Sequence, residues 1–197
     1  MPTADRQKWD EKYQQGSHSS AEPSKLITEL PELLALGPKS TNSRRALRAI
    51  DVAGGTGRHA IWLAQRGFDV TLADISTIAL SLAKQRSARA NVALTTLAID
   101  LEEANFPPGP WDVAVDFHFL SRALFPRIAA ELAIGGLLIV VQPTVKNLER
   151  NSKPSREYLL EPGELPTLVA PLEIVRYDEG WLDEGRHEAR VVARRTL

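Results

Sequence analysis

The chain has no cysteine. Disulfide staples, thiolate nucleophiles and cysteine-based metal sites are therefore excluded. Histidine is scarce too, four in 197 residues. No two histidines have metal-ligand spacing, so no metal centre is expected. An excess of one charge is also lacking: the formal net charge is −1, which removes the electrostatic argument for nucleic acid or a membrane surface. Two small basic clusters, Arg44, Arg45 and Arg48 and then Arg190, Arg194 and Arg195, read as solvated faces. The longest uncharged apolar run, Ile134 to Val141, is far too short to cross a bilayer. The first sixteen residues, MPTADRQKWDEKYQQG, are polar and carry acids, unlike a secretory leader or a spanning segment. The cytoplasm is the expected compartment.

With 43% hydrophobic and 25% charged residues, the composition is that of an ordinary globular protein. At this length a single domain over 1–197 is expected, with a helical cover over 1–43 and an α/β core over 44–197. Helices are predicted over Asp5 to Gln15 and over Lys25 to Leu36, where Leu26, Leu30, Leu33 and Leu34 fall at helical spacing. Gly37-Pro38 stops the second, and 39–43 reads as linker. Strands and helices then alternate. Strands are expected over 47–53, 69–73, 91–99, 112–119 and 137–142, with helices over 58–66, 76–90 and 123–133. Ser76 is a good N-cap, and Gly135-Gly136 is expected to cap the end of the third of these helices. An irregular stretch over 143–157 has the place of a lid. A helix over 161–169, a strand over 172–177, a turn over 180–185 and a strand over 187–193 complete the chain. Alternation implies a mainly parallel sheet. The last two strands have no room for a helix between them and must lie antiparallel. The fold expected is therefore α/β, a Rossmann-like three-layer sandwich with a seven-stranded, mostly parallel sheet and a final antiparallel strand.

Residues 50–74, IDVAGGTGRHAIWLAQRGFDVTLAD, concentrate the chemistry. A β-branched strand runs into Gly54-Gly55-Thr56-Gly57, a helix follows, and a second strand ends on Asp74. This is half of a nucleotide-binding βαβ unit. Glycines let the backbone approach a ligand, and the helix N-terminus offers free N–H groups. A carboxylate at the end of the second strand suits a ribose diol. The turn admits two cofactors. Gly55-x-Gly57-x-x-Ala60 fits a dinucleotide fingerprint, whereas Asp51-x-x-Gly54-Gly55-x-Gly57 fits an acid-plus-glycine turn for S-adenosylmethionine (SAM).

The block from Ile50 to Ser76 resembles that of class I SAM-dependent methyltransferases. Ala53 departs from it, since that position is usually glycine; a negative φ would accommodate the alanine. The likeness continues in Asp100 at the end of the third strand and in Trp9-Asp10-Glu11-Lys12-Tyr13 near the N-terminus. It also includes Phe119 to Pro126 and Gly135 to Ile139. Tyr158 to Leu165 is similar to a segment of the small, single-domain, tellurite-resistance-type branch. The resemblance implies SAM as cofactor. It implies contacts from Trp9, Tyr13, Asp51, Ala53, Gly54, Gly55, Gly57, Asp74, Ile75, Asp100, Leu101 and Phe117. For Trp9 and Tyr13, one turn apart on one helix face, core packing is an equal reading. Arg58 and His59 are expected to be structural.

Methyl transfer from a sulfonium needs alignment and, where the nucleophile is protonated, a base. The acceptor is expected beyond the carboxyl end of the fourth strand. Asp116 breaks an apolar run there and needs a partner if buried. His118 is the general-base candidate by type and place, against a structural role. His18 and His187 have weaker claims. Arg122, Lys153 and Arg156 are candidate substrate contacts, and with Lys146 and Arg150 they would suit an anionic small molecule or oxyanion. A monomer or homodimer acting on a small-molecule acceptor is expected. The alternatives are an NAD-dependent oxidoreductase and a catalytically silent SAM-binding module. Against the first, Tyr158 and Tyr177 are followed at the Tyr-x-x-x-Lys spacing by Pro162 and Trp181.

Overall fold

The structure is a computed structural model that describes residues 4–17, 20–36 and 46–196. The Gly37-Pro38 stop, the linker over 39–43, His18, Arg44 and Arg45 lie outside the described residues. The chain divides into two compact units, 1–105 and 106–197. Seven strands form a sheet in the order β3-β2-β1-β4-β5-β7-β6.

In the first unit, α1 (Ala4–Gln14) is followed by two single turns, α2 (Lys25–Thr28) and α3 (Pro31–Leu34). The sequence suggests one continuous helix here. Pro31 divides it, because proline disfavours helical backbone in the residue before it, and Leu30 is extended at φ −73°, ψ 110°. Ile27, Leu30 and Leu33 are buried, while Leu34 is exposed. Then come β1 (Arg48–Val52), α4 (Arg58–Gln65), β2 (Asp69–Asp74), α5 (Thr77–Arg89) and β3 (Thr95–Ala98). β1 pairs parallel with β2, and β2 with β3. Ser76 caps α5, its side chain accepting from the Ala79 N–H at 3.0 Å. β3 starts four residues later than expected because Asn91, in the left-handed region at φ 54°, turns the chain out of α5.

The second unit carries β4 (Trp111–Phe117), α6 (Phe125–Glu131), β5 (Leu132–Pro143), α7 (Leu165–Leu168), β6 (Glu173–Trp181) and β7 (His187–Arg194). β4 and β5 are parallel, and β7 is antiparallel to both β5 and β6. Gly135-Gly136 is not a helix cap. α6 ends earlier, and the two glycines form an irregularity inside β5, where the register jumps from Trp111↔Leu132 to Val113↔Leu137. Gly135 has φ 81°, and a Cβ on Gly136 would meet backbone oxygens of Ala133 and Trp111. The helix expected over 161–169 shrinks to one turn. Pro162 and Pro166 each remove an N–H, and Gly163 is left-handed at φ 74°. The core of this unit is the wholly buried run Leu137 to Val141 against Val113, Ala114 and Val115. β6 is the outer strand and mostly exposed. Its charges, among them Glu173, Arg176, Asp178 and Glu179, discourage pairing with other chains at that edge.

The basic cluster near the C-terminus is structural in part. Arg190 pairs with Asp178, and Arg195 donates to the carbonyls of Ala130 and Leu132, each at 2.6 Å. Among the described residues no helix is long and apolar enough to cross a membrane.

Candidate functional site

In the first unit the glycine turn is gripped by two buried carboxylates. Asp51, on β1, accepts the Ala60 N–H at 3.0 Å through Oδ2, tying the strand to the first turn of α4. Asp74, at the end of β2, accepts the Gly55 N–H through Oδ2 and the Ser76 N–H through Oδ1, both at 2.8 Å. Each oxygen of Asp74 keeps capacity for a further donor, as contact with a ribose diol would require. Gly57 closes the turn onto the Gly54 carbonyl at 3.0 Å. A Cβ on Gly54 would collide with the Asp51 carboxyl and with Leu72. Gly55 and Gly57 have φ 57° and 80°. Ala53 is left-handed as well, at φ 49°. The negative φ that would accommodate an alanine is not what the turn adopts: the position demands what glycine gives freely, and alanine is held there under strain.

The Trp9-Asp10-Glu11-Lys12-Tyr13 segment lies along α1 and does two jobs. Tyr13 is buried, and its hydroxyl lies so close to Gly55 that a Cβ there would strike it. Asp10, which carried no assignment in the sequence, accepts from Ser76 Oγ at 2.5 Å and from the Ile78 N–H at 3.3 Å, so α1 is fastened to the start of α5. Trp9 is half-buried, its ring 6.0 Å from that of Tyr13 and under the Lys12 ammonium at 4.1 Å. His59 Nε2 accepts the Ser24 N–H at 3.3 Å. Asp100 accepts the Glu102 N–H at 3.1 Å and shapes the turn after β3, Leu101 is buried beside it, and Ile75 is half-buried after Asp74.

Burial dominates the electrostatics here. It pushes Asp51 up to about 7, with the Ala60 hydrogen bond and Arg58 offsetting only part of the effect. It raises Asp74 also, against its hydrogen bonds from Ser76 and Gly55. Tyr13 is raised by burial and by the neighbouring Asp74 and Asp51. A cationic ligand near Asp51 would relieve this cost.

In the second unit Asp116, buried on β4, accepts from Gln142 Nε2 at 3.0 Å and from the Phe119 N–H at 3.3 Å. Gln142, on β5, also donates to the Phe119 carbonyl at 2.8 Å. The partner that the burial of Asp116 required is therefore an amide on the next strand. Together these bonds shape the turn after β4, in which Phe117 is half-buried and His118 lies at φ 68°. His118 Nε2 is 2.9 Å from Glu188 Oε1. Glu188, on β7, is buried, and Arg186 approaches the same oxygen at 3.5 Å. Burial alone would raise the Glu188 carboxyl. The hydrogen bond from His118, with the charges of Arg186 and Arg190, outweighs it and holds the group below the ordinary carboxylate range. His187 is buried, with Nδ1 2.8 Å from Thr144 Oγ1 and its ring edge-on to Trp181.

The stretch over 143–157 is tethered. Asn147 donates to the Lys153 carbonyl at 3.1 Å and accepts the His187 N–H at 3.4 Å. Asn151 donates to the Gly185 carbonyl at 3.0 Å. Arg122 is held by Glu164 in a two-pronged pair at 2.5 and 2.9 Å and also donates to the Leu159 carbonyl. Arg156 pairs with Glu161 at 2.6 Å, Arg150 stacks over Trp181 at 3.9 Å, and Lys153 is exposed. Glu188, Gln142, Asn147 and Asp10 had no sequence assignment. Glu188 left a trace as an acid inside the strand HEARVVAR, and Asp10 as a member of the Trp9–Tyr13 segment.

Residues 49–136 match the methyltransferase domain family. No curated protein matches the chain. Among solved structures, TehB from Haemophilus influenzae superposes with a TM-score of 0.70 at 17% identity, over 94% of this chain and 67% of that one. The N-methyltransferase NodS from Bradyrhizobium japonicum WM9, in complex with S-adenosyl-L-homocysteine, gives 0.67 at 16% identity over 98% of both chains. A structure from the conversion of a disulfide bond into a thioacetal group during echinomycin biosynthesis gives 0.69 at 17%, over 97% and 93%. At such identities the likeness is one of fold. The sheet and the glycine turn define a Rossmann-like fold of the methyltransferase type. The segment 49–136 is thus methyltransferase-like in sequence, and the sheet that carries it is methyltransferase-like in fold, with TehB and NodS among its structural neighbours.

Proposed function

We propose that the chain is a cytoplasmic enzyme, one domain over 1–197, that moves a methyl group from SAM to a small-molecule nucleophile. The observation that carries the reading is the grip of Asp74 on Gly55 and Ser76 beneath Tyr13. It brings a ribose-seeking carboxylate to a glycine turn that has no room for a side chain at Gly54. In support of one domain, the matched segment 49–136 runs through the division at residue 105. NodS, crystallised with the demethylated cofactor, supports the choice of SAM.

In this reading SAM supplies an electrophilic methyl on a positively charged sulfur. Asp74 would accept the ribose hydroxyls, and Asp51 would face the cationic methionine end. Gly54 and Gly55 would admit the cofactor against the backbone, under Tyr13 and Trp9. Ala53, Gly57, Ile75, Asp100, Leu101 and Phe117 complete the proposed contacts. Asp116 acts by holding the turn that carries His118, the proposed proton acceptor. No nucleic-acid or membrane partner is proposed, and the enzyme works as a monomer or homodimer.

An anionic acceptor is a narrower version. Arg122 and Arg156 are already paired with Glu164 and Glu161, so Lys153 is the candidate cation that would serve it. The test of the main reading is a thermal-shift comparison of SAM, S-adenosylhomocysteine and NAD(H), since a ligand of the native state raises its stability. A shift with SAM and its product is expected. A shift with NAD(H) alone would overturn the reading.

A further inference from the structure

β7 runs antiparallel to its neighbours, so its first residues reach the sheet edge where the parallel strands end. The register sets Pro143 opposite Glu188 and Gln142 opposite Ala189. β4 ends one strand away, Phe117 opposite Val141, and the His118 N–H bonds the Val141 carbonyl at 2.9 Å. An acid inside β7 and a histidine after β4 thus meet at the carboxyl edge, where open α/β sheets take their ligands. His118 is held left-handed at φ 68° by the Asp116 and Gln142 bonds described above. Strain of this kind persists where the surroundings over-determine it, and it concentrates at functional sites.

An ionised carboxylate only accepts hydrogen bonds. The imidazole nitrogen that faces Glu188 must therefore carry its proton on Nε2, which leaves the lone pair of the neutral ring on Nδ1. Arg186, on the same Glu188 oxygen, keeps that carboxylate ionised. The His118 side chain retains 31% exposure while that of Glu188 has 4%. One member of the pair is open to a ligand and the other is shut away behind it.

We propose that Glu188 is a positioning residue that fixes the Nε2–H tautomer of His118, so that Nδ1 takes the proton of the methyl acceptor. The acceptor class is then a nucleophile that still carries its proton, a hydroxyl or a thiol. This rests on the methyltransferase reading above. The step balances: the acceptor's lone pair forms the bond to the methyl carbon, and the carbon–sulfur pair leaves with the sulfur. The acceptor's proton passes to Nδ1, giving an imidazolium stabilised by Glu188. Arg186 and Arg190 of the β7 region also bear on Glu188.

The test has two arms on the full chain. In the first, long-range proton–nitrogen correlation spectra of ¹⁵N-histidine-labelled protein read the tautomer. His118→Asn identifies the signal, because asparagine tolerates positive φ. The wild type should show neutral His118 as a single Nε2–H tautomer, giving way to a mixture in Glu188→Gln. An Nδ1–H tautomer, or an unchanged spectrum in Glu188→Gln, overturns the proposal. This arm needs neither cofactor nor acceptor. In the second, kcat is compared for phenol, protonated at neutral pH, and para-nitrothiophenol, already ionised there. Glu188→Gln should lose about tenfold or more in kcat on phenol, with a distinctly smaller loss on the thiolate and the KM for SAM unmoved. Equal losses on both acceptors overturn the proposal. A thermal shift with SAM on the same samples separates the two readings. Its absence in the wild type overturns the methyltransferase reading and leaves the tautomer result standing.

Discussion

Ala53 shows how one residue carries a cost set by the site around it. A non-glycine residue in the left-handed region costs about 1–2 kcal/mol. Glycine there would return ~0.5–1 kcal/mol of that through its freer unfolded chain. Ala53→Gly should therefore stabilise the protein by up to ~1 kcal/mol, read as a higher urea midpoint at unchanged slope. The change leaves the Asp51 and Asp74 bonds alone, so cofactor affinity should not fall. Gly54 is the opposite case. Its Cβ would strike the Asp51 carboxyl and Leu72, inside a buried layer. Overpacking of this kind typically costs about 1–3 kcal/mol. Gly54→Ala should lower stability by that amount, read as a lower urea midpoint, and weaken the thermal shift with SAM. The sequence marked both positions as special. It could not assign the sign of φ at Ala53, because the path of the turn depends on what Asp51, Asp74 and Tyr13 close around it.

Among the elements, α1 is the most exposed to a single change. Its sequence has no strong apolar face, and Tyr13 is its one buried residue. Much of its hold on the α/β core is polar: Asp10 takes the Ser76 hydroxyl and the Ile78 N–H, and so also satisfies a free donor at the start of α5. Asp10→Ala should cost about 1 kcal/mol, and the loss should be local. Faster amide exchange over 4–17 and weaker SAM binding are expected, with little change in the protection of β1 and β2. Equal loosening throughout would mean that α1 is not a separate cover. The strands and the helices around the glycine turn could be read from periodicity because short-range rules govern them. Three other features could not. Pro31 splits an apolar pattern that looks continuous. Gly135-Gly136 mimics a helix stop, yet it serves the register of β5. The pairing of His118 with Glu188 joins residues seventy positions apart and depends on β7 turning back antiparallel, which alternation announces only in outline.

For the molecule as a whole, the buried acids set a pH dependence that the cofactor should reverse. Asp51 has an ordinary value of 3.8 and about 7 in the folded chain. Below 3.8 it is protonated in both states and contributes no slope. Between these values the unfolded chain sheds the proton while the folded chain keeps it, so stability falls as pH rises, and above about 7 the slope ends. Asp74, also raised, acts in the same sense. Glu188 is held low and acts oppositely: its contribution is present above its unfolded value of 4.5 and is lost as pH falls through its folded value. Urea titrations from acid to neutral pH should show the Asp51 slope in the wild type and a shallower one in Asp51→Asn. A cation placed against Asp51 favours the ionised form. SAM binding should therefore release a proton wherever Asp51 is still protonated, and affinity should climb towards pH 7 and then level. Calorimetry in buffers of different ionisation enthalpy reads this directly. A buffer-dependent heat below pH 7 is expected in the wild type, and it should be reduced in Asp51→Asn. A heat that is independent of buffer throughout would remove Asp51 from the cationic end of the cofactor, leaving it only its bond to Ala60.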